Sequence, residues 1–230
     1  MIHNDWLAAF PHEDAQVVVS TLCSVWAELA ALSSATFHAG RREPDLTELL
    51  CEQIRAVFKE RTKLTGQWSY ERRLARITKN GEGGSKVVDR KRTDIEYFSD
   101  RQTPSLELTF EFKKLSHTQA RRNVYIGEDG MLRFITGNYS AKQPVAIMVG
   151  ILSAARSACV PPLIQFLQTE KAREALRMCT LPEECVFQPS TAFALNAEFD
   201  TFHTRPASLA PPSGAITLCH IFLEFPDGSV

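Results

Sequence analysis

An alternating segment near the middle of the chain places the strongest constraint on the fold. From position 106 to position 113, leucine or phenylalanine fills every second place, and polar or charged residues fill the places between. This period of two is typical of a β-strand, whose side chains point alternately to the two faces of a sheet. The sequence therefore predicts a strand with one apolar face and one charged face. The apolar members are Leu106, Leu108, Phe110 and Phe112, and the polar members are Glu107, Thr109, Glu111 and Lys113.

A second strand is predicted directly before it, over residues 92–98. The intervening residues 99–105 include Asp, Pro and Ser, which favour a reversal of the chain. In a hairpin of these two strands, Asp94 lies beside Glu111. The hairpin therefore brings two carboxylates and the ammonium group of Lys113 together.

These groups suit a divalent cation. Mg²⁺ prefers oxygen ligands and keeps several waters, so Asp94 and Glu111 are candidate ligands, with the backbone carbonyl of Phe112 as a third. Lys113 would orient a nucleophilic water and stabilise the negative charge that develops as a P–O bond breaks. The same alternation of acid and base is also typical of a solvent-exposed strand face, and a Glu-x-Lys tripeptide alone does not separate the two interpretations.

The sequence Thr93-Asp94, followed by Glu111-Phe112-Lys113, resembles the motif of the PD-(D/E)XK nuclease superfamily, which has the restriction-endonuclease-like fold. The resemblance covers about residues 43–126. It implies hydrolysis of phosphodiester bonds with Mg²⁺, for which Mn²⁺ substitutes, and catalytic roles for Asp94, Glu111 and Lys113. The proline of the family motif is replaced by Thr93, although in the family the aspartate carries the metal.

The helix predicted over residues 44–61 offers a further acidic ligand. At about 100° per residue, Glu48 and Glu52 point away from the apolar face of this helix, whereas Glu43 falls on its side. The segment also resembles the first helix of many PD-(D/E)XK nucleases, in which a glutamate reaches the metal, and this favours Glu43. Glu48 is the rival, although Asp45-x-x-Glu48 also fits a capping box. Which of the three glutamates reaches the metal is left open.

Positive charge is concentrated around the candidate site. The formal net charge is −1, but residues 55–122 contain 17 of the 26 Lys and Arg residues against 9 acidic residues, a net charge of +8. Residues 1–54 have two basic and eight acidic residues (−6), and residues 123–230 have seven and ten (−3). The basic segment predicts binding of a polyanion, although charged runs are also common on solvated surfaces. The candidate nucleic-acid contacts are Arg90, Lys91, Arg92, Lys114, Arg121 and Arg122.

The fold class predicted is α/β, with a mixed central sheet flanked by helices and a restriction-endonuclease-like core. We expect one domain with a helical N-terminal region (1–40), a catalytic core (41–126), and an α-rich insertion with closing strands (127–230). The six cysteines show neither a Cys-x-x-Cys pair nor zinc-site spacing, which favours reduced thiols. Neither a signal peptide nor a transmembrane span is expected, so the predicted localisation is cytoplasmic, with no membrane partner.

The remaining elements are predicted from periodicity and turn residues. The turn Glu128-Asp-Gly130 is typical of a β-hairpin. The dipeptide Pro161-Pro162 is predicted to open a helix. The predicted elements are a helix over 13–38 that ends at Gly40, a core strand over 67–77, a loop over 80–86, a helix or loop over 116–123, hairpin strands over 124–126 and 131–135, helices over 144–159 and 163–178, and strands over 192–202 and 215–225.

Two hypotheses of function follow. The first is a Mg²⁺-dependent endonuclease, with DNA favoured over RNA as its substrate. Because the sequence shows no helix-turn-helix or zinc finger, such a nuclease would depend on a partner such as an ATPase or helicase subunit, as in restriction and antiphage defence complexes, or on assembly as a homo-oligomer. The second is a catalytically silent nuclease-like module that binds nucleic acid or a partner protein. The presence of Asp94, Glu111 and Lys113 together favours the first.

Overall fold

The computed structural model describes residues 10–32, 34–79, 85–101, 103–179 and 187–226. Its strands are β1 (Gln67–Tyr70), β2 (Arg73–Lys79), β3 (Ser85–Arg92), β4 (Ile95–Ser99), β5 (Leu106–Leu115), β6 (Val145–Leu152), β7 (Phe187–Pro189), β8 (Phe199–Thr204) and β9 (Ala215–Leu223). Seven of them form one mixed sheet in the order β1-β4-β5-β6-β9-β8-β7. The central strand β6 runs parallel to β5 and to β9, and the other pairings in this sheet are antiparallel.

Helices cover both faces of this sheet. They are α1 (His12–Ala31), α2 (Glu43–Arg61), α3 (Gln119–Ile126), α4 (Met131–Ile135), α5 (Arg156–Leu167) and α6 (Glu170–Ala175). Helices α1 and α2 share an apolar cluster with Phe110 and Phe112 of β5. Helices α3, α4 and α5 share a second cluster with Met148 of β6 and Leu218 of β9. The structure thus confirms a mixed α/β fold with a central sheet between helices.

The predicted hairpin is present as β4 and β5. The two strands are antiparallel, with Ile95 opposite Phe110. The alternative interpretation of β5, in which its polar face is exposed to solvent, is wrong. Helices cover both faces, so Thr109, Glu111 and Lys113 are buried. The alternation separates two buried layers of different polarity, and the charged side chains must find partners in the interior.

The centre of the sheet departs furthest from the sequence interpretation. Residues 145–152, predicted as part of a helix over 144–159, form the fully buried strand β6. Because β6 has a strand on each side and helices on each face, all its residues are apolar and no period of two remains. The region 127–230, predicted as an α-rich insertion with closing strands, thus also contributes the central strand β6 to the sheet.

The hairpin predicted around Glu128-Asp-Gly130 is wrong, because this turn joins the short helices α3 and α4. The hydroxyl of Thr118 caps the first turn of α3. Strand and helix periods cannot be told apart in segments of three to five residues, which explains the error. The helix predicted over 163–178 is also wrong, since Pro161 and Pro162 lie inside α5 and α6 is a separate helix.

Helix α1 ends at Ala31 and does not extend to Gly40 as predicted. The hydroxyl of Ser34 accepts a 3.1 Å hydrogen bond from the backbone N–H of Phe37. Local bonds of this kind compete with the continuation of a helix, and the chain forms turns here instead.

The segment predicted as one core strand over 67–77 is divided at Glu71. The φ angle of Glu71 is 47°, in the left-handed region, and the chain turns there. Only β1 belongs to the main sheet, since β2 pairs with β3 as a separate two-stranded sheet. The loop predicted to follow lies, at residues 80–84, outside the described residues. The two closing strands are present as β8 and β9, although β8 begins only at Phe199.

Within the residues described, no helix is long and apolar enough to cross a membrane. The cysteines in this part of the chain are free thiols, in line with the absence of a disulfide pattern in the sequence. They are Cys23, Cys51, Cys159, Cys179 and Cys219.

Candidate active site

The hairpin places Asp94 next to the Glu-x-Lys sequence of β5. Asp94 immediately precedes β4, and its Oδ2 accepts a 2.8 Å hydrogen bond from the backbone N–H of Phe112. The Nζ atom of Lys113 lies 3.6 Å from the same oxygen. The structure therefore brings Asp94, Glu111 and Lys113 together, as expected for a hairpin of these two strands.

Glu43, the first residue of α2, reaches the end of β5. Its Oε1 accepts a 3.0 Å hydrogen bond from Nζ of Lys113, and its Oε2 accepts a 2.7 Å bond from the backbone N–H of Lys114. Glu48 and Glu52 are exposed farther along the helix, where Glu52 pairs with a neighbouring arginine. Of these three glutamates, Glu43 is the one that joins Asp94 and Glu111.

The ammonium group of Lys113 lies at the centre of these carboxylates. Its Nζ is 2.8 Å from Oε1 of Glu111, 3.0 Å from Oε1 of Glu43 and 3.6 Å from Oδ2 of Asp94. It also donates a 2.5 Å hydrogen bond to the carbonyl of Phe112. The Lys113 side chain is only 8 % exposed, so water screens these interactions weakly. We refer to Glu43, Asp94, Glu111 and Lys113 as the carboxylate cluster.

Glu111 is fully buried and contacts a second cation, Arg133 of α4. Nη1 of Arg133 donates hydrogen bonds of 2.9 Å to Oε1 of Glu111 and 2.7 Å to the hydroxyl of Tyr139. Nη2 donates a 3.0 Å bond to Oδ1 of Asp129. The other carboxylate oxygen of Glu111, Oε2, is buried and has no hydrogen-bond partner among the described residues.

Sequence reasoning missed Arg133. It follows Glu111 by 22 residues, in a segment predicted as a β-hairpin, and only the helical conformation of α4 directs its side chain to the cluster. Asp129 and Arg133 are spaced i, i+4, the separation at which opposite charges meet on a helix. That spacing could have indicated that this segment is helical and that Arg133 is one of its functional side chains.

Burial shifts the acid–base equilibria of the cluster. Burial, followed by the negative charge of Asp94, raises the pKa of Glu111 to about 8. Burial also raises the pKa of Asp94, and the charge of Lys113 offsets this only in part. Burial alone would lower the pKa of Lys113, but the three carboxylates raise it above its ordinary value. Lys113 therefore stays charged in a site where the buried carboxylates hold protons more tightly than usual.

Two cavities open onto the cluster and share Asp94, Asp129 and Arg133 in their walls. They have volumes of about 770 Å³ and about 560 Å³, within the range of small-molecule sites. We call them together the cleft. The larger cavity is also lined by Glu71, Arg92, Glu128 and Tyr139, and the smaller one by Arg41, Arg42, Glu43, Lys113, Lys114 and Arg121.

Two of the predicted nucleic-acid contacts line the cleft with exposed side chains. Arg121 of α3 is exposed and lies in the wall of the smaller cavity. Arg92 is exposed in the larger cavity and pairs with Glu71 at 2.8 Å. Arg90 and Lys91 belong to β3, and their side chains lie outside the described part of the structure.

The other two predicted contacts are engaged within the protein. Nζ of Lys114 donates hydrogen bonds of 2.5 Å and 2.7 Å to the carbonyls of Ala39 and Arg41, and so holds the loop before α2. Arg122 donates a 2.7 Å bond to the carbonyl of His117 and a 2.9 Å bond to a glutamine of α3. These bonds stabilise the surroundings of the cleft.

The chemistry of the cluster fits a hard divalent cation. Glu43, Asp94, Glu111 and the Phe112 carbonyl offer oxygen ligands, which Mg²⁺ prefers, and Oε2 of Glu111 is an acceptor without a partner in the part of the chain that the structure describes. In this conformation the positive charge among the carboxylates is the ammonium group of Lys113. Across the described ranges, no group of three or more His, Cys, Asp or Glu side chains is arranged to hold a metal ion. Metal binding here therefore requires Lys113 to shift away from the carboxylates.

No family model, no curated protein and no solved structure matches this chain. The function is therefore inferred from the geometry and the chemistry of the carboxylate cluster and its cleft.

Proposed function

We propose that the chain is a metal-dependent nuclease that hydrolyses phosphodiester bonds. The observation that carries the proposal is the convergence of Glu43, Asp94 and Glu111 on Nζ of Lys113, at distances of 2.8 to 3.6 Å. Removing these charges from water is costly, and ion pairs offset that cost only in part. Clusters of titratable groups with shifted pKa values beside a cleft are typical of sites that perform chemistry.

Each member of the cluster has a role in such a reaction. Asp94, Glu111 and the carbonyl of Phe112 would hold Mg²⁺ or Mn²⁺, with Glu43 as a further ligand. The bound cation would supply Lewis-acid polarisation of a phosphoryl oxygen and lower the pKa of water. Lys113 would orient the attacking water and stabilise the negative charge that develops on the phosphate.

The elements that carry these residues support a restriction-endonuclease-like core. Asp94 enters from the start of β4, the Glu-x-Lys sequence lies in the second half of β5, and Glu43 opens α2. The resemblance of the sequence to the PD-(D/E)XK superfamily implies the same division of roles between a hairpin and a helix.

We propose DNA as the substrate and a protein partner that delivers it. The site lies in the basic segment 55–122, between acidic segments that would repel a polyanion. An effector subunit of a restriction or antiphage defence complex, paired with an ATPase or helicase, fits this distribution, and so does a homo-oligomer. We expect weak cleavage by the isolated monomer. Rapid, sequence-specific cleavage by a verified monomer would contradict the need for a partner.

A catalytically silent module that binds nucleic acid or a protein is the second candidate. One observation favours it: Lys113 and Arg133 already contact Glu111 at 2.8 Å and 2.9 Å, so ion pairs alone account for a buried carboxylate. A silent module would bind nucleic acid without cleaving it, and EDTA would leave its affinity unchanged.

The test is a cleavage assay on plasmid, linear duplex DNA, single-stranded DNA and RNA, each with Mg²⁺, Mn²⁺ or EDTA. Wild type is compared with Asp94→Asn and Glu111→Gln. The matched control is Glu96→Gln, because Glu96 is a buried acid of β4 that pairs with Arg72 and belongs neither to the carboxylate cluster nor to the described walls of the cleft.

We expect cleavage that EDTA abolishes, and a loss of at least about 100-fold in the two cluster variants. Glu96→Gln should cleave as wild type does. Binding without cleavage by the wild type favours the silent module, and full activity of Asp94→Asn would remove this residue from the mechanism.

A further inference from the structure

Arg133 lies in the wall that the two cavities of the cleft share. Its side chain is 23 % exposed, and its guanidinium group bonds to Glu111, Tyr139 and Asp129. The Cζ atom also lies 5.2 Å from the centroid of the Tyr139 ring. Arg133 is therefore accessible to a ligand in the cleft while several contacts hold it there.

The charges around the cluster show what Arg133 adds. When ionised, Glu43, Asp94, Glu111 and Asp129 carry four negative charges, and Lys113 and Arg133 carry two positive charges, which leaves −2. A divalent cation brings this sum to zero. Without Arg133 the cation-loaded site would keep a net charge of −1, which would repel the negative charge of a phosphodiester.

Arg133 and a divalent cation compete for the same carboxylate. Oε1 of Glu111 lies 2.8 Å from Nζ of Lys113 and 2.9 Å from Nη1 of Arg133. A doubly charged ion bound to Glu111 would repel both groups, and this repulsion is strong where little water is present. On leaving Glu111, Arg133 would remain attached to Tyr139 and Asp129, so its guanidinium group would stay in the cleft.

We propose that Arg133 is the phosphate-binding group of this site. It neutralises Glu111 in the free protein, and it transfers to a non-bridging phosphate oxygen of the substrate when a divalent cation occupies the carboxylates. The inference rests on the proposed nuclease function. A guanidinium group suits the task because it is always charged and its planar donors match phosphate oxygens two at a time. Binding of the cation and binding of the substrate are thereby coupled.

Two substitutions distinguish the contribution of the positive charge of Arg133 from that of its planar guanidinium group. Arg133→Gln removes the charge, and Arg133→Lys keeps it. The matched control is Arg156→Gln. Arg156 likewise pairs with two carboxylates, those of Glu198 and Glu224, and its Cζ lies 5.6 Å from the centroid of the Phe222 ring. It does not belong to the described walls of the cleft.

The measurements are calorimetric titration of each folded variant with Mn²⁺, fluorescence anisotropy of a duplex oligonucleotide at saturating Mn²⁺, and steady-state cleavage. For Arg133→Gln we expect Mn²⁺ to bind about tenfold more tightly without nucleic acid, because the positive charge that repels the ion is removed. Its affinity for the duplex and its kcat/KM should fall, the latter by at least about 100-fold. The Mn²⁺ affinity, duplex affinity and kcat/KM of Arg133→Lys should lie between those of wild type and Arg133→Gln. Arg156→Gln should change none of these three values.

Opposite changes in cation affinity and duplex affinity support the inference. A decrease in both, or no change in either, overturns it, because a purely structural arginine would weaken both together. A wild type that binds Mn²⁺ and duplex without cleaving refutes the nuclease function alone, and the anisotropy series then decides on Arg133. A wild type that does not bind Mn²⁺ overturns both proposals. Should circular dichroism show Arg133→Gln to be unfolded, unchanged duplex affinity in Arg133→Lys overturns the inference and reduced affinity supports it.

Discussion

The Oε2 atom of Glu43 accepts a 2.7 Å hydrogen bond from the backbone N–H of Lys114, which lies 71 residues later in the chain. Because Oε1 of the same carboxylate contacts Lys113, Glu43 attaches the first turn of α2 to the end of β5. In return, Nζ of Lys114 binds the carbonyls of Ala39 and Arg41 just before α2. The same contacts therefore set the position of the helix and the geometry of the site.

We expect Glu43→Gln to weaken Mn²⁺ binding about tenfold. The amide oxygen of glutamine can still accept the bond from the Lys114 N–H, but the negative charge is lost. Calorimetric titration with Mn²⁺ measures the change, and Glu48→Gln, exposed on the same helix, is the control. Equal affinities in the two variants would exclude Glu43 as a ligand.

Lys113→Met should destabilise the protein, because it leaves three carboxylates without the cation that they surround. We expect the free energy of unfolding in EDTA to fall by roughly 3 kcal/mol. Urea denaturation with and without Mg²⁺ measures it. Mg²⁺ should recover much of the loss, and a loss that Mg²⁺ leaves unchanged would indicate that the carboxylates do not bind the ion.

Arg121→Gln should reduce the salt dependence of nucleic-acid binding by about one unit in the slope of log K against log salt concentration. Arg121 is exposed in the wall of the smaller cavity and would contact phosphate there. Its neighbour Arg122, bonded to the carbonyl of His117, supplies the control Arg122→Gln. Binding isotherms at four salt concentrations give the slopes, and identical slopes in the two variants would assign Arg121 to the solvated surface.

A chain of buried hydrogen bonds connects His203 and His220. It predicts that the stability of the fold depends on pH. The carbonyl of Leu176 can only accept, so Nδ1 of His203 donates to it at 2.7 Å, and Nε2 of His203 accepts from the hydroxyl of Thr201 at 2.8 Å. The Thr201 oxygen then accepts from Nε2 of His220 at 2.9 Å, and Nδ1 of His220 accepts from the hydroxyl of Tyr125 at 2.9 Å. This arrangement satisfies both imidazoles in their neutral forms.

Neutral buried histidines should destabilise the fold in mild acid. Burial lowers the pKa of His203 from 6.5 to about 4 and also lowers that of His220. Below pH 6.5 the unfolded chain binds protons that folded His203 does not, so its contribution to the free energy of unfolding falls as the pH decreases to about 4. Glu111 has the opposite effect on the free energy of unfolding. Because its pKa is raised, the folded state binds a proton at a higher pH than the unfolded chain does.

The histidine contribution is therefore measured as a difference between variants. Urea unfolding at pH 7, 6, 5 and 4 is compared for wild type and His203→Gln. The stability advantage of wild type should shrink steadily over this range. His117→Gln, at an exposed position, is the control. An advantage of wild type over His203→Gln that does not change with pH would show that burial does not lower the pKa of His203.

The elements predicted correctly carry their signal within a few neighbouring residues. Helix α2 shows a helical apolar face, and β5 alternates strictly, so both follow from local periodicity. The proximity of Asp94 to Glu111 follows from a hairpin with a short loop, which requires no knowledge of the rest of the fold.

The errors arise where tertiary packing removes or reverses the local signal. Strand β6 is apolar throughout because neighbours surround it, so its sequence fits a buried helix equally well. The polar residues of β5 also fitted a solvent-exposed face, yet helices and Arg133 cover the face that carries Glu111 and Lys113. Arg133 itself is brought to the cluster by the short helix α4, and nothing in the motif of β5 indicates a partner 22 residues later.

Strand β6 pairs in parallel with β5 on one side and β9 on the other. Parallel strands cannot be joined by a tight turn, so these three strands assemble from distant parts of the chain, which is slow compared with forming a hairpin. On the ribosome, Glu43, Asp94 and Glu111 emerge long before β9 (Ala215–Leu223) exists to cover β6. A nascent chain would thus possess every candidate catalytic group without the enclosed site that gives them their chemistry. The proposed nuclease activity would thus arise only after β9 has been synthesised.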